Sequence, residues 1–170
     1  MIHNDVLRRL RYALKLNDQQ MLAVFKLVDY EIDVTHLHHI MLKEEEEGFI
    51  LCRDSVISLF LDGLIIHYRG KVEGREPQPP KKQISKNDIL RKIRIALELQ
   101  AEDMIEILGL VDFRLSKPEL SAFFRKTGHR NYKECGDQVL RNFLAGLVKR
   151  HRGDEIKENE NKETVQKVDK

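Results

Sequence analysis

The sequence predicts an all-α fold, a tandem duplication of a four-helix unit packed into one compact helical protein. The segment that begins at Asn4-Asp5 recurs 83 residues later at Asn87-Asp88. The alignment continues without a gap to Arg69-Gly70 and Arg152-Gly153, and about a third of the aligned positions are identical. Each copy contains four stretches whose apolar residues recur at helical spacing, which indicates amphipathic helices.

The first predicted helix of each copy follows an Asn-Asp pair, from which we expect the N-cap. Its apolar stripe consists of Leu7, Leu10, Ala13 and Leu14 in the first copy, and of Leu90, Ile93, Ala96 and Leu97 in the second. The second helix begins near Asp18 and carries Met21, Leu22, Phe25 and Val28, which the second copy matches with Met104, Ile105, Leu108 and Val111. These matched stripes predict that the two copies share one packing scheme.

The third helix begins near Asp33, and in the second copy at Ser116-Lys117-Pro118-Glu119, a cap followed by a proline and an acid. The fourth helix runs from about residue 53 to 68, and from 136 to 151, and both copies then reach Arg-Gly, a C-terminal glycine signal.

These elements divide the chain into four parts. Residues 1–70 form the first helical repeat, and 71–86 form a linker with five basic residues and Pro77, Pro79 and Pro80. Residues 87–153 form the second helical repeat. Residues 154–170 are mostly Lys, Glu and Asn, and we expect a disordered charged tail because they have little apolar surface to bury.

The composition is that of a soluble protein, with 41% hydrophobic and 34% charged residues. We expect a cytoplasmic location, because the N-terminus lacks the pattern of a signal peptide and the most apolar run is too short for a bilayer span. The repeats differ in charge. Residues 1–70 have 8 Lys and Arg against 11 Asp and Glu, whereas residues 87–153 have 13 against 9. Such an asymmetry is informative about partners.

Two motifs occur in both copies. One is N-D-x-L-R-x-[LI]-R-x-A-L in the first helix, and the other is D-x-V-[IL]-x-x-F-L-x-G-L in the fourth. With these motifs the chain resembles the YehS-like bacterial family, small proteins built from two tandem copies of a domain of unknown function. The resemblance covers residues 2–153. It implies a bacterial, cytosolic, all-α protein, and it carries over no catalytic residue.

Four arginines and two aspartates recur at equivalent positions: Arg8, Arg11, Asp54, Arg91, Arg94 and Asp137. The arginines could bind a phosphate or carboxylate of a ligand. Alternatively they could form structural ion pairs with Asp29 or Asp54 in their own repeat, joining helix to helix. We favour the structural role because duplicated units keep their scaffold and diverge in their sites.

The segment between the third and fourth helices differs most between the copies. In the second copy it contains the basic residues Arg125, Lys126, His129, Arg130 and Lys133 around Tyr132. Cations for phosphates and a ring for a base are what nucleic-acid binding requires. The alternative is an ordinary charged surface. The pattern does not distinguish DNA from RNA.

The first copy instead has Glu44-Glu45-Glu46-Glu47, preceded by His36, His38 and His39. Two of the histidines could share a helix face and bind a metal, but their counterparts Glu119, Ser121 and Ala122 are not histidines, so we expect no metal site. The acidic run could also meet the basic segment of another molecule, provided that apolar contacts support it.

The sequence favours a binding protein over an enzyme. It lacks a G-x-S-x-G motif, a phosphate loop and a dinucleotide-binding fingerprint, and we expect no cofactor. Cys52 and Cys135 have no metal spacing, and apolar neighbours of Cys52 suggest a core position. Catalysis would require Cys135, His129 and a carboxylate to meet in one pocket. Our leading hypothesis is nucleic-acid binding, with a protein-interaction, adaptor or self-association role as the alternative.

Overall fold

The computed structural model describes residues 1–74, 76 and 78–168, so Arg75 and Pro77 of the linker and residues 169–170 of the tail lie outside it. The described residues form helices and irregular connections without a strand. The helices are α1 (His3–Ala13), α2 (Asp18–Lys26), α3 (Val34–Ile40), α4 (Asp54–Arg69), α5 (Lys86–Ala96), α6 (Ala101–Gly109), α7 (Lys117–Ala122) and α8 (Asp137–Val168). The predicted all-α tandem duplication is confirmed, since α1–α4 and α5–α8 begin at the same positions of the two copies.

The repeats pack reciprocally. Helix α1 of the first repeat makes its main contact with α8 of the second, and α5 of the second repeat makes its main contact with α4 of the first. Exchange of the two repeats maps one of these interfaces onto the other, as a pseudo-twofold arrangement requires. The central layer therefore consists of α1, α4, α5 and α8, and each repeat completes the core of the other.

The shorter helices cover this layer. Helix α2 packs on α4, and α6 packs on α8. The largest fully buried side chains are aromatic or long aliphatic and come from both copies, among them Phe25, Phe60, Phe123, Phe143, Leu61 and Leu64. The apolar stripes predicted from the sequence supply most of one continuous core, but in the second helices Val24 and Ile107 are buried and the predicted Val28 and Val111 lie beyond the ends of α2 and α6.

Two glycines allow these covering helices to approach closely. A Cβ atom on Gly63 of α4 would lie 2.3 Å from the carbonyl oxygen of Val24, and one on Gly146 of α8 would lie 2.2 Å from that of Ile107. Both distances are far below van der Waals contact, and the clashing atoms belong to backbone that cannot rotate away. The glycine of the fourth-helix motif is therefore a packing requirement.

Asn4 and Asn87 are buried, and neither serves as the N-cap that the sequence predicts. Ser85 caps α5 by accepting from the amide of Asp88 at 3.1 Å. The Asn87 side chain instead donates to the carbonyls of Phe123 at 3.0 Å and Lys133 at 2.8 Å, and accepts from the amide of Cys135 at 2.9 Å. Asn4 makes the equivalent three bonds, to Ile40, Ile50 and Cys52. Each asparagine thus fastens the end of the third helix and the following loop to the first helix.

The tail departs from the expected disorder. Helix α4 ends at Arg69 with Gly70 at a φ of 79°, whereas α8 continues through the equivalent Gly153 to Val168. The difference follows from what comes next in the sequence. Gly70 precedes a stretch with Gly74 and prolines, while residues 154–168 contain no glycine or proline and are rich in the good helix formers Glu and Lys.

Among the described residues, no helix combines the length and the apolar character needed to cross a bilayer. Helix α8 has 32 residues, but its second half is charged.

We expect Gly146→Ala to lower the free energy of unfolding by about 1–3 kcal/mol or more, because the added methyl group must displace the backbone of α6. The matched control is Gly109→Ala in α6, where nothing lies within 4 Å of the added Cβ. Helix propensity should make that change neutral or slightly stabilising. Urea unfolding followed by circular dichroism measures both, and equal stabilities of the two variants would contradict the close approach.

We expect Asn87→Ala to cost about 3 kcal/mol of stability or more, because it leaves buried polar groups of two segments without partners. Asn142→Ala is the control, since the Asn142 side chain makes only an exposed bond, to the carbonyl of Gln138 at 2.8 Å. Thermal unfolding of both variants compares them. A melting temperature for Asn87→Ala within a degree or so of the control's would refute the anchoring role.

Candidate nucleic-acid interface

The basic segment lies between α7 and α8 and is folded by turns. The amide of His129 donates to the carbonyl of Lys126 at 2.9 Å, and the amide of Tyr132 donates to that of His129 at 2.9 Å. The amide of Lys133 then donates to the carbonyl of Ala122 at the end of α7, at 3.1 Å. Together with the bonds from Asn87, these contacts hold an irregular segment in one conformation.

The five basic side chains of the hypothesis are all exposed: Arg125, Lys126, His129, Arg130 and Lys133. Arg125, Arg130 and Lys133 meet around a shallow cleft of about 580 Å³, which Tyr132 also lines. We call this the basic cleft. Lys126 and His129 do not line it, so the structure brings together three of the five predicted residues.

The charge of the basic cleft is largely unopposed. Among the described residues, no carboxylate forms an ion pair with Arg125, Lys126, Arg130 or Lys133. Glu119 is the one acidic side chain in the cleft wall. Hydrogen bonds from Ser116 lower the pKa of Glu119, so this carboxylate is ionised and offsets one of the three cleft cations.

The predicted arginine scaffold has different partners from those expected. Arg8 pairs with Asp5 of its own helix and donates to the carbonyl of Leu42 at 2.8 Å, and Arg91 pairs with Asp88 at 3.3 Å. Neither reaches Asp54 or Asp137. An aspartate one helical turn away and a nearby carbonyl are closer than a carboxylate on another helix, and they satisfy the guanidinium groups first.

Arg11 and Arg94 hold the turn after the first helix of each repeat. Their Nε atoms donate to the carbonyls of Leu16 at 3.1 Å and Leu99 at 3.0 Å. Arg11 also pairs with Asp18 at 2.6 Å, and Arg94 lies 4.7 Å from the ring centre of Phe124. The same bond to a backbone carbonyl therefore occurs in both copies, and the scaffold role of these two arginines stays a prediction.

Asp54 and Asp137 begin α4 and α8, where they join the repeats. Asp54 accepts from the amide of Ile84, which precedes α5, at 3.0 Å, and lies 2.9 Å from Nε2 of His3. Asp137 lies 2.9 Å from the nitrogen of Met1 and 3.2 Å from Nζ of Lys86. The bond from Ile84 is the main cause that lowers the pKa of Asp54, and the bond from Met1 is the main cause for Asp137.

Both cysteines are buried. Burial raises the pKa of Cys52 to about 12 and that of Cys135 to about 11, so both thiols are protonated near neutral pH. Cys135 lines a cavity together with Glu134 and His3, and His129 does not line it. Cys135, His129 and a carboxylate, the combination that catalysis would require, therefore do not meet in this cavity.

His36, His38 and His39 all lie in α3. His38 lies 2.8 Å from the carboxylate of Asp18, a contact between α3 and the start of α2. Among the residues that the structure describes, no group of three or more His, Cys, Asp or Glu side chains is arranged to hold a metal ion. Glu44–Glu47 are all exposed, and Ile50 and Leu51 further along the same loop are 38% and 55% exposed.

Sequence reasoning missed two features of this region. One is the anchoring role of Asn87, for which the signal was an asparagine repeated among apolar positions at an offset of 83 residues. The other is the cavity beside Cys135, of about 260 Å³, which lies between the repeats. No pattern within one repeat could indicate it, because its walls come from both.

We expect Asp54→Asn to reduce stability at pH 7 by up to about 1 kcal/mol, a small effect because the carboxylate is 38% exposed to water. The folded-state pKa of Asp54 is lowered, so its charge stabilises the fold above the unfolded pKa of about 3.9, and this contribution is lost as the pH falls through the folded-state value. Urea unfolding from pH 7 to about pH 3 should therefore show the two proteins converging. Glu106→Gln, an exposed change on α6, is the control, and a pH-independent difference for Asp54→Asn would contradict the assignment.

Comparison with known proteins agrees with this architecture. Residues 3–70 and 86–153 each match the family described as "Protein of unknown function (DUF1456)". The chain is also 43% identical over 150 residues to the "Uncharacterized protein YehS" of Escherichia coli (strain K12), covering 88% of this chain and 96% of that protein. No solved structure matches the chain at a significant level. The two matches coincide with the two structural repeats, and the chain therefore belongs to the DUF1456 family as a tandem pair of its domains.

Proposed function

We propose that this protein is a non-catalytic binding protein that binds nucleic acid through the basic cleft of its second repeat. One observation carries the proposal: Arg125, Arg130 and Lys133 surround Tyr132 on an exposed surface, with Glu119 as the one carboxylate in its wall. Unpaired cations are free to contact phosphates, and each contact releases counterions from the nucleic acid. The ring of Tyr132 offers a stacking surface for a base.

The proposal excludes a catalytic role for the cysteines. Protonated, buried thiols are poor nucleophiles, because the thiolate is the reactive species. A cytosolic location, as expected from the sequence, belongs to the same proposal, and it would give the protein access to both RNA and DNA.

A second candidate function is a protein-interaction module or a self-associating protein. The loop equivalent to the basic segment carries Glu44–Glu47 and the exposed apolar residues Ile50 and Leu51. Apolar side chains near a charged run could supply the contacts that charge alone cannot. The two functions differ in salt dependence, since nucleic-acid binding weakens steeply with salt and an interface with an apolar centre does not.

The test is fluorescence anisotropy with labelled single-stranded RNA and duplex DNA at about 50 and 200 mM salt. We expect Arg125→Glu/Arg130→Glu/Lys133→Glu to abolish binding at both salt concentrations. The intact protein should lose affinity steeply with salt, with about 0.7–0.9 in the logarithmic slope for each phosphate contact.

The matched control is Lys26→Glu/Lys43→Glu/Arg53→Glu, which changes the net charge equally at three exposed positions of the first repeat. Equal losses in the two triple variants would mean that net charge, and not the basic cleft, governs binding. No binding of either ligand at low salt would end the hypothesis and favour a protein partner.

A further inference from the structure

The cavity of about 260 Å³ beside Cys135 is built by both repeats, and we call it the interface cavity. Its apolar wall comes from Val6 of α1, Ile84 just before α5, Ile89 in α5, and Leu140 of α8. Its polar groups include His3 and Glu134. A flat ring with hydrogen-bonding edges fits such a lining, since apolar walls cover its faces and a few polar groups meet its edges.

Tyr132 connects this cavity to the basic cleft, because its side chain lines both. The residue is partly exposed. Arg130 and Lys133 line the basic cleft, whereas Glu134 and Cys135, which follow directly in the chain, line the interface cavity. A strand that runs along the basic cleft therefore reaches the mouth of the interface cavity at Tyr132.

The charges favour phosphates in the basic cleft and a base in the interface cavity. Phosphates are favoured in the basic cleft, where three cations face Glu119 alone. They are less favoured in the interface cavity, where Glu134 carries a negative charge and the amino group of Met1 and Nζ of Lys86 are already paired with Asp137, at 2.9 and 3.2 Å. A carboxylate can instead accept a hydrogen bond from an N–H group on the edge of a base, such as the ring N3–H of thymine or an exocyclic amino group.

The volume of the interface cavity restricts which ligand can fit. The interface cavity is slightly smaller than the usual 300–1,000 Å³ of sites for drug-sized ligands, so it suits a base ring and not a whole nucleotide. A base within a duplex is stacked and paired and cannot enter without being extruded, whereas a base of a single strand is free to turn inward.

We propose that the interface cavity receives one base of a single-stranded nucleic acid, stacked on Tyr132, while the flanking phosphates lie along the basic cleft. The inference rests on the proposed function and names its substrate class. The protein then has one such site per chain. The corresponding cleft of the first repeat, beside Cys52, is lined by Leu51, Arg53 and Lys82, and Phe49, the counterpart of Tyr132, does not line it.

The experiment compares three labelled ligands with the full chain at about 50 mM salt: an oligothymidine strand of about 15 nucleotides, its duplex with oligoadenosine, and an abasic strand of the same length. The abasic strand keeps the phosphates and lacks every base. We expect the oligothymidine strand to bind at least tenfold more tightly than the other two.

Tyr132→Ala should weaken binding of the oligothymidine strand by about ten- to a hundredfold, the loss typical of one stacked base, and leave abasic-strand binding unchanged. Tyr132→Phe keeps the ring and should bind within about twofold of the intact protein. Tyr68→Ala, at a 42% exposed tyrosine of α4, is the control for loss of an exposed ring. Circular dichroism checks that each variant keeps its helices.

The outcomes separate the inference from the proposed function. If the abasic strand or the duplex binds as tightly as oligothymidine, and binding is still lost in the Arg125/Arg130/Lys133 charge reversal, the basic cleft binds phosphates and the base site is refuted. An equal loss for all three ligands in Tyr132→Ala also refutes it, because that pattern indicates a distorted cleft. If no ligand binds the intact protein, both proposals fail.

Discussion

The hydrogen bonds of one buried asparagine per repeat determine much of this structure. Asn87 lies in the first turn of α5 and bonds to Phe123 at the end of the third helix of its repeat, and to Lys133 and Cys135 in the following loop. A buried amide that lost these partners would carry the full cost of its desolvation, so the loop cannot move away cheaply. The basic cleft borders on this loop, and its shape depends on a bond made in the core.

The same asparagine explains how two loops of opposite charge can occupy equivalent places. Asn4 and Asn87 contact backbone atoms at their partner residues, and such contacts are indifferent to the side chains that those residues carry. Ile50 and Leu51 in one copy can therefore become Lys133 and Glu134 in the other without disturbing the anchor. The scaffold is repeated, and the surface above it is free to diverge.

Much of the fold could be predicted because its signals are local. A fixed offset of 83 residues, apolar stripes at helical spacing and the start signal at Ser116–Glu119 place the helices correctly. The reciprocal packing could not be predicted to the same degree. An apolar stripe on α1 indicates that this face is buried, but the stripe is equally compatible with α4 of its own repeat and with α8 of the other.

The partners of the repeated arginines were also hard to predict from the sequence. Arg11 and Arg94 bond to equivalent backbone carbonyls in the two copies, and their role as a scaffold stays a prediction. Their partners could not be inferred, because backbone carbonyls compete with carboxylates and leave no mark in the sequence. The prediction of a disordered tail differs from the structure for another reason. Residues 154–168 have few apolar side chains to bury, but a helix that is already nucleated can extend without burial.

The reciprocal packing also bears on why the domain is duplicated. A unit of this size buries only a modest share of its surface, and here each repeat lends its first helix to the fourth helix of the other. The interface cavity is a consequence of that exchange, since Val6 comes from one copy and Ile89, Tyr132 and Leu140 come from the other. A single repeat would retain the basic loop but would lack the part of the cavity wall that Val6 and His3 supply. Duplication therefore supplies both the missing core and a concave surface at which the basic loop of the second repeat meets the first helix of the other repeat.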